Sequence, residues 1–119
     1  MADTRRKLGQ WGEAQAARYL EAQGCQVVAA NWRCTAGEVD LVVREGETLA
    51  FVEVRTRRGR AYGTPEESIT AAKLARMAAV AESYVYETEW AGDWRLDVVA
   101  IEARPGQPPA IEWYKSVSL

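Results

Sequence analysis

The chain has 119 residues, 48% hydrophobic and 27% charged, with a net charge of −2. This composition suits one folded domain spanning residues 1–119 and leaves no run near the ~20 apolar residues of a membrane span. Histidine is absent, which excludes Ser-His-Asp and Cys-His catalysis and histidine-ligated zinc; any chemistry must rest on carboxylates, lysine, arginine, tyrosine or a metal.

The first element reads as a helix from Thr4 to Gln23. Leu8, Gly12, Ala16, Tyr19 and Leu20 recur at helical spacing, Trp11 lies beside them, Glu13 edges the stripe and Gly24 closes it. Cys25 to Asn31 is short and apolar and suits a strand. Gly37 to Arg44 alternates, with Val39, Leu41 and Val43 on one side and Glu38, Asp40 and Val42 on the other. Thr48 to Thr56 alternates too: Ala50, Val52 and Val54 share one face, and Phe51, Glu53 and Arg55 the other. Gly59 to Pro65 is a loop.

Thr64-Pro65-Glu66-Glu67 opens a second predicted helix running to about Tyr86, with Pro and acids where a helix start favours them. Ile69, Ala72, Met77, Ala81, Tyr84 and Val85 form its stripe. Trp94 to Glu102 is a strand on which Arg95 and Asp97 share a face, as a structural ion pair would. Ile111 to Lys115 is a last short strand. The order α-β-β-β-α-β-β predicts an α/β fold with a sheet flanked by helices. Cys25 and Cys34 are nine positions apart, no zinc spacing. With no signal segment behind Arg5-Arg6-Lys7, the chain is expected in the cytosol with both thiols free and packed.

The chemistry-bearing feature is the hairpin between the second and third strands. Glu45-Gly46-Glu47-Thr48 reads as a type II′ turn with Gly46 first of the two central residues. Glu45 is then opposite Thr48, Asp40 faces Glu53, and Glu38 faces Arg55, with Cβ atoms of opposed residues ~5 Å apart. Like charges opposed on a sheet are destabilising, and a divalent cation removes the conflict. Asp40 and Glu53 are the hard oxygen ligands that Mg²⁺ prefers, and Arg55 is placed to stabilise a charged transition state. The competing reading is an ordinary Glu38–Arg55 ion pair with solvated acids; alternation alone leaves both open.

The net charge is not that of a strong non-specific nucleic-acid binder. Arg55, Arg57, Arg58 and Arg60 nevertheless fall within six residues, and Arg57, Arg58 and Arg60 suit phosphate contact or a solvated basic loop equally. Trp32, Trp90 and Trp94 are candidates for stacking on unpaired bases or, as the better expectation, for packing.

Gly37-Glu38-Val39-Asp40-Leu41 and Phe51-Val52-Glu53-Val54-Arg55-Thr56-Arg57 resemble the GEIDL and FVEVKxR blocks of the YraN-like family of uncharacterised bacterial proteins. Gly12-Glu13-xx-Ala16, Asn31-Trp32-Arg33, Tyr62-Gly63-x-Pro65, Lys73 and Arg95-Leu96-Asp97-Val98-Val99 extend the likeness from about Gly9 to Val99. That family resembles the PD-(D/E)xK nucleases, particularly archaeal Holliday-junction resolvases. The resemblance implies a restriction-endonuclease-like mixed sheet and a Mg²⁺ or Mn²⁺ ion. It makes Asp40 and Glu53 metal ligands joined by the Val54 carbonyl, gives Glu13 a supporting role through water, and lets Lys73 reach phosphate. Arg55 departs from the pattern, which normally carries lysine; a guanidinium keeps the charge but cannot exchange a proton.

The leading expectation is a metal-dependent nuclease acting on branched or single-stranded DNA, with Asp40, Glu53, Arg55, Glu13 and Glu38 catalytic. A second is a nucleic-acid-binding module on the same fold with little or no turnover. A third is a DNA-processing adaptor that exposes Trp113 or Tyr114. Homodimerisation is expected only by analogy with resolvases.

Overall fold

The computed structural model describes residues 2–58 and 69–118. The elements are α1 (Ala2–Ala22), β1 (Gln26–Cys34), β2 (Gly37–Glu45), β3 (Thr48–Arg58), α2 (Ala71–Thr88), β4 (Asp93–Ala103) and β5 (Ala110–Tyr114). This is the mixed α/β order that the sequence predicts, and the one expected of a restriction-endonuclease-like fold. The five strands form one sheet in the order β1-β2-β3-β4-β5. Only β3 and β4 run parallel, because a parallel pair needs a long crossover and α2 supplies it. The other neighbours are antiparallel.

Each helix covers one face. Ala16 and Leu20 of α1 are buried against Leu41, Val43, Ala50, Val52, Val99 and Ile101. Val80 and Ala81 of α2 are buried against Val39, Val42, Leu49 and Phe51 on the opposite face. The thiols are free, Cys25 buried in the first cluster and Cys34 against the second, so the sheet separates them. Gly24 (φ +95°) turns the chain out of α1, and Cys25 N–H bonds to Leu20 O at 3.0 Å. Gly46 has the positive φ (+60°) that the first central position of a type II′ turn demands.

Three sequence expectations shift. The first strand continues to Cys34 rather than ending at Asn31. The second helix does not run unbroken from Thr64: Thr70 is extended (φ −91°, ψ 165°), its hydroxyl accepts from Lys73 N–H at 3.1 Å, and α2 begins at Ala71. An N-cap hydroxyl satisfies an orphan helix donor, so it sets the start ahead of the Pro and acids upstream, whose positions lie outside the described residues. Ile69 is still buried, but from the segment before the helix.

The third shift matters for the site. Strict alternation would put Val39 with Leu41 and Val43, yet Val39 packs on the α2 side with Val42 and Phe51. The register of β1 on β2 shifts between Val27 and Ala29, and farther along, between the pairs Ala30↔Leu41 and Trp32↔Val39, Asn31 adopts φ +51°. A residue in the left-handed region interrupts the pleat, and Asp40 lies on β2 at the same level.

Candidate active site

The β2–β3 ladder runs from Glu45↔Thr48 to Leu41↔Val52 in the register that the hairpin predicts, and its pairing stops there. Asp40 and Glu53 are the next residues out. Instead of a further ladder bond, Val54 N–H donates to Asp40 Oδ2 at 2.8 Å. The carboxylate thus takes the acceptor role of a strand carbonyl, and the two strands part around it.

Glu53 is only 9% exposed. Its Oε2 lies 3.2 Å from Arg55 Nε and 3.4 Å from Lys73 Nζ. Lys73 owes this position to the Thr70 cap, which starts α2 beside β3. A cation in the first turn opposes the helix dipole, and the Glu53 carboxylate offsets that cost.

Glu13 reaches the same cleft because α1 lies unusually close to β3. A Cβ on Gly12 would come within 2.9 Å of Thr56 Cβ and Cγ2, a distance that real side chains do not tolerate. Only glycine permits this approach, and the next residue on the helix is Glu13. The resulting cleft, ≈ 630 Å³, is lined by Arg5, Glu13, Asp40, Glu53, Arg55, Arg57 and Arg58, with Leu8, Gly9, Val54 and Thr56 between them.

Its electrostatics are uneven. Burial, then the charges of Glu53, Glu13 and Glu38, push the Asp40 carboxyl from its ordinary 3.8 up to about 7, against the opposing pull of the Val54 hydrogen bond. In the same cleft, Arg55 Nε and Arg57 Nε and Nη2 are buried with no hydrogen-bond acceptor among the described residues. The Arg55–Glu53 contact is therefore an ion pair without hydrogen-bond alignment. Buried guanidinium donors left without acceptors are costly, and an anion in the cleft would satisfy them.

Asp40, Glu53, Val54, Glu13, Arg55, Arg57 and Arg58 are thus brought together along the cleft, and Lys73 forms an ion pair with Glu53. Glu38 does not face Arg55 as expected. Beyond the split it stays with β1, where Arg33 is its cross-strand partner and Arg33 Nε lies 3.2 Å from Glu38 Oε2. It acts on Asp40 only through its charge. Arg60, Tyr62, Gly63 and Pro65 lie outside the described residues.

Trp32 and Trp94 pack edge-on against Tyr84 and Phe51, at 5.1 and 5.8 Å between ring centroids, and Trp90 joins the same cluster. Packing, the better expectation, is what the structure shows for all three. Trp113 is not an exposed adaptor contact either: it packs against the α1-side core and donates to Asp97 Oδ2 at 2.9 Å. Tyr114 is half-buried as well, its hydroxyl donating to Glu112 Oε2 at 2.8 Å. Arg5 is visible in the sequence only as part of a basic group; nothing local says that α1 lays it over the cleft.

The donor set fits a hard divalent cation. Asp40 and Glu53 offer carboxylate oxygens, Val54 retains its carbonyl, and the repulsion felt by Asp40 is what a cation relieves. Among the described residues no group of three or more Asp, Glu, Cys or His side chains is placed to hold a metal ion by itself. Mg²⁺ characteristically takes one or two carboxylates and completes its shell with water and substrate phosphate.

The model of the uncharacterised protein family UPF0102 matches residues 12–101, and the chain belongs to that family. A UPF0102 protein of Herpetosiphon aurantiacus is 43% identical over 124 residues, covering 100% of this chain and 99% of the relative. One from Roseiflexus castenholzii is 50% identical, covering 85% of this chain and 83% of the relative. One from Nocardia farcinica is 45% identical, covering 92% and 87%.

Proposed function

We propose that this UPF0102 protein is a divalent-metal-dependent nuclease that hydrolyses phosphodiester bonds in DNA, with branched or single-stranded substrates favoured. One observation carries the reading. The half-buried Asp40 carboxyl shares with Glu53 and Glu13 a cleft whose remaining polar lining includes guanidinium donors without acceptors among the described residues. Acids that need a cation stand beside cations that need an anion, and a metal-bound phosphodiester supplies both.

In this reading Asp40, Glu53 and the Val54 carbonyl hold a Mg²⁺ or Mn²⁺ ion. Such an ion, when bound, lowers the pKa of a water and polarises a phosphoryl oxygen. The chain's own groups do the rest. Arg55 and Arg57 donate to the non-bridging oxygens and stabilise the charge that grows on them as water adds. Glu13, across the cleft from β3, accepts from the attacking water and orients it. Val54 N–H fixes Asp40 so that its free oxygen faces the cleft. Lys73 Nζ, 3.4 Å from Glu53 Oε2, holds that carboxylate in place.

The test is incubation with branched, flapped and single-stranded DNA in Mg²⁺ or Mn²⁺. Cleavage by wild type, and a loss of at least about 100-fold in Asp40→Ala, are expected. No cleavage by wild type, or cleavage undiminished in Asp40→Ala, overturns the nuclease reading. A binding module without turnover is the second reading, favoured by the arginine at position 55. It predicts salt-sensitive DNA binding that weakens without Arg57 and Arg58 and survives loss of Asp40.

A further inference from the structure

The cleft does not end at Arg58. A second hollow, ≈ 380 Å³, continues from it between α1 and the ends of β3 and β4, sharing Leu8 and Arg58 with the cleft and adding Lys7, Trp11 and Ala103. A third, ≈ 270 Å³, shares Trp11, Arg58 and Ala103 with the second and is closed by Arg104, Pro105, Gln107 and Pro109. Arg58 borders all three, so they form one track. Arg58 and Ala103 are register partners on β3 and β4, which places the outer end five residues along β3 from Glu53, about 16 Å at 3.3 Å per residue.

The charge changes along this track. The inner cleft mixes acids with arginines, whereas the charged groups among the described lining residues of the outer two hollows are Lys7, Arg58 and Arg104, all cationic. This stands out on a chain of net charge −2 and calls for a polyanion. The last hollow is also shaped for a flat ring: its lining combines the Trp11 indole with two prolines, an alanine and the Gln107 amide. In the amide orientation that satisfies both its neighbours, Gln15 accepts from Trp11 Nε1 at 3.2 Å. The indole's polar atom is then taken, and its ring, partly buried against the α1-side core, lines both outer hollows. A base in a duplex has no free face to stack on it; an unpaired base does.

We infer that the track binds a single-stranded DNA segment running away from the scissile phosphate, with one unpaired base stacked on Trp11 and its phosphates on Arg58 and Arg104. This rests on the nucleic-acid reading above and sharpens it: the strand entering the cleft is unpaired beyond Arg58. Trp32, Trp90 and Trp94, the tryptophans that sequence offers for stacking, lie in the opposite core, and Trp11 takes that role.

The experiment measures affinity for a labelled single-stranded oligonucleotide and for a blunt duplex of the same sequence, in EDTA so that cleavage plays no part. Wild type is expected to bind the single strand at least about tenfold tighter. Trp11→Ala should lose about tenfold on the single strand with little change on the duplex, and Trp11→Phe should recover most of it. Arg58→Ala and Arg104→Ala should each reduce the salt slope by about 0.7. Because Trp11 also touches the core, photocrosslinking of a halogenated single strand to wild type tests the same contact without substitution, with the crosslink expected on Trp11 or on residues 103–109.

Equal affinity for duplex, single-strand binding indifferent to Trp11, or crosslinks confined elsewhere would overturn the inference. Asp40-dependent cleavage together with any of these leaves the nuclease reading standing and removes only the stacking track. Trp11-dependent single-strand binding without cleavage does the reverse.

Discussion

Replacing Asp40 by Asn should stabilise the metal-free protein, an unusual outcome for a change in a half-buried, hydrogen-bonded residue. The Asp40 carboxyl is raised from 3.8 to about 7 by burial first and then by Glu53 and the other acids. Between those values the folded protein holds a proton that the unfolded chain has released. The folded state therefore loses stability as pH rises through this window, and the loss is complete above about 7. About three pH units at 1.36 kcal/mol each set a ceiling of roughly 4 kcal/mol.

Asparagine keeps an oxygen that can accept from Val54 N–H but carries no charge to desolvate or repel. We expect Asp40→Asn to exceed wild type by about 2–4 kcal/mol near pH 8, and the difference to vanish near pH 4. The assay is urea unfolding of both proteins in EDTA across that range, read by tryptophan fluorescence. Comparing the two at each pH cancels the titration of groups they share. Added Mg²⁺ should stabilise wild type near pH 8 and leave Asp40→Asn unmoved, because binding to the folded state alone adds stability. A variant less stable than wild type near pH 8, or a difference that does not change with pH, would refute the reasoning.

Other outcomes follow from the same geometry. Gly12→Ala drives a methyl into Thr56 and should cost about 1–3 kcal/mol in urea unfolding. Part of that should return in the double variant with Thr56→Ala. Arg55→Ala should lower DNA cleavage at least about 100-fold, while Arg55→Lys should retain most of it; a null effect of Arg55→Ala would remove this residue from the site. Asp97, 0% exposed, accepts from Arg95, Trp113 Nε1 and Ser116 N–H. Asp97→Ala strands those donors and should cost about 3–5 kcal/mol, with hydrogen exchange accelerated first along β5.

The element order and the hairpin register are legible in the amino-acid sequence. Both depend on nearest neighbours: alternating apolar residues choose a face, and Gly46 chooses a turn whose two central residues fix which positions oppose. The Arg95–Asp97 pair is legible for the same reason, since residues two apart on a strand share a side; Arg95 Nε lies 3.0 Å from Asp97 Oδ1. The facing of Glu38 and Arg55 is not. Counting positions from the turn assumes that a ladder continues, and it cannot see that the β2–β3 pairing ends at Leu41↔Val52 and that Arg33 on the other neighbouring strand takes Glu38.

The sequence by itself determined which candidate residues stand on adjacent strands of matched parity: Asp40, Glu53 and Arg55. Tertiary structure alone decided how they meet. Gly12 against Thr56 brings α1 and Glu13 over the cleft, Thr70 aims Lys73 at Glu53, and Arg58 joins the cleft to Trp11. Each of these contacts links elements distant in the chain. No local periodicity encodes them, because they exist only once both sheet faces have packed and set the distances between the elements.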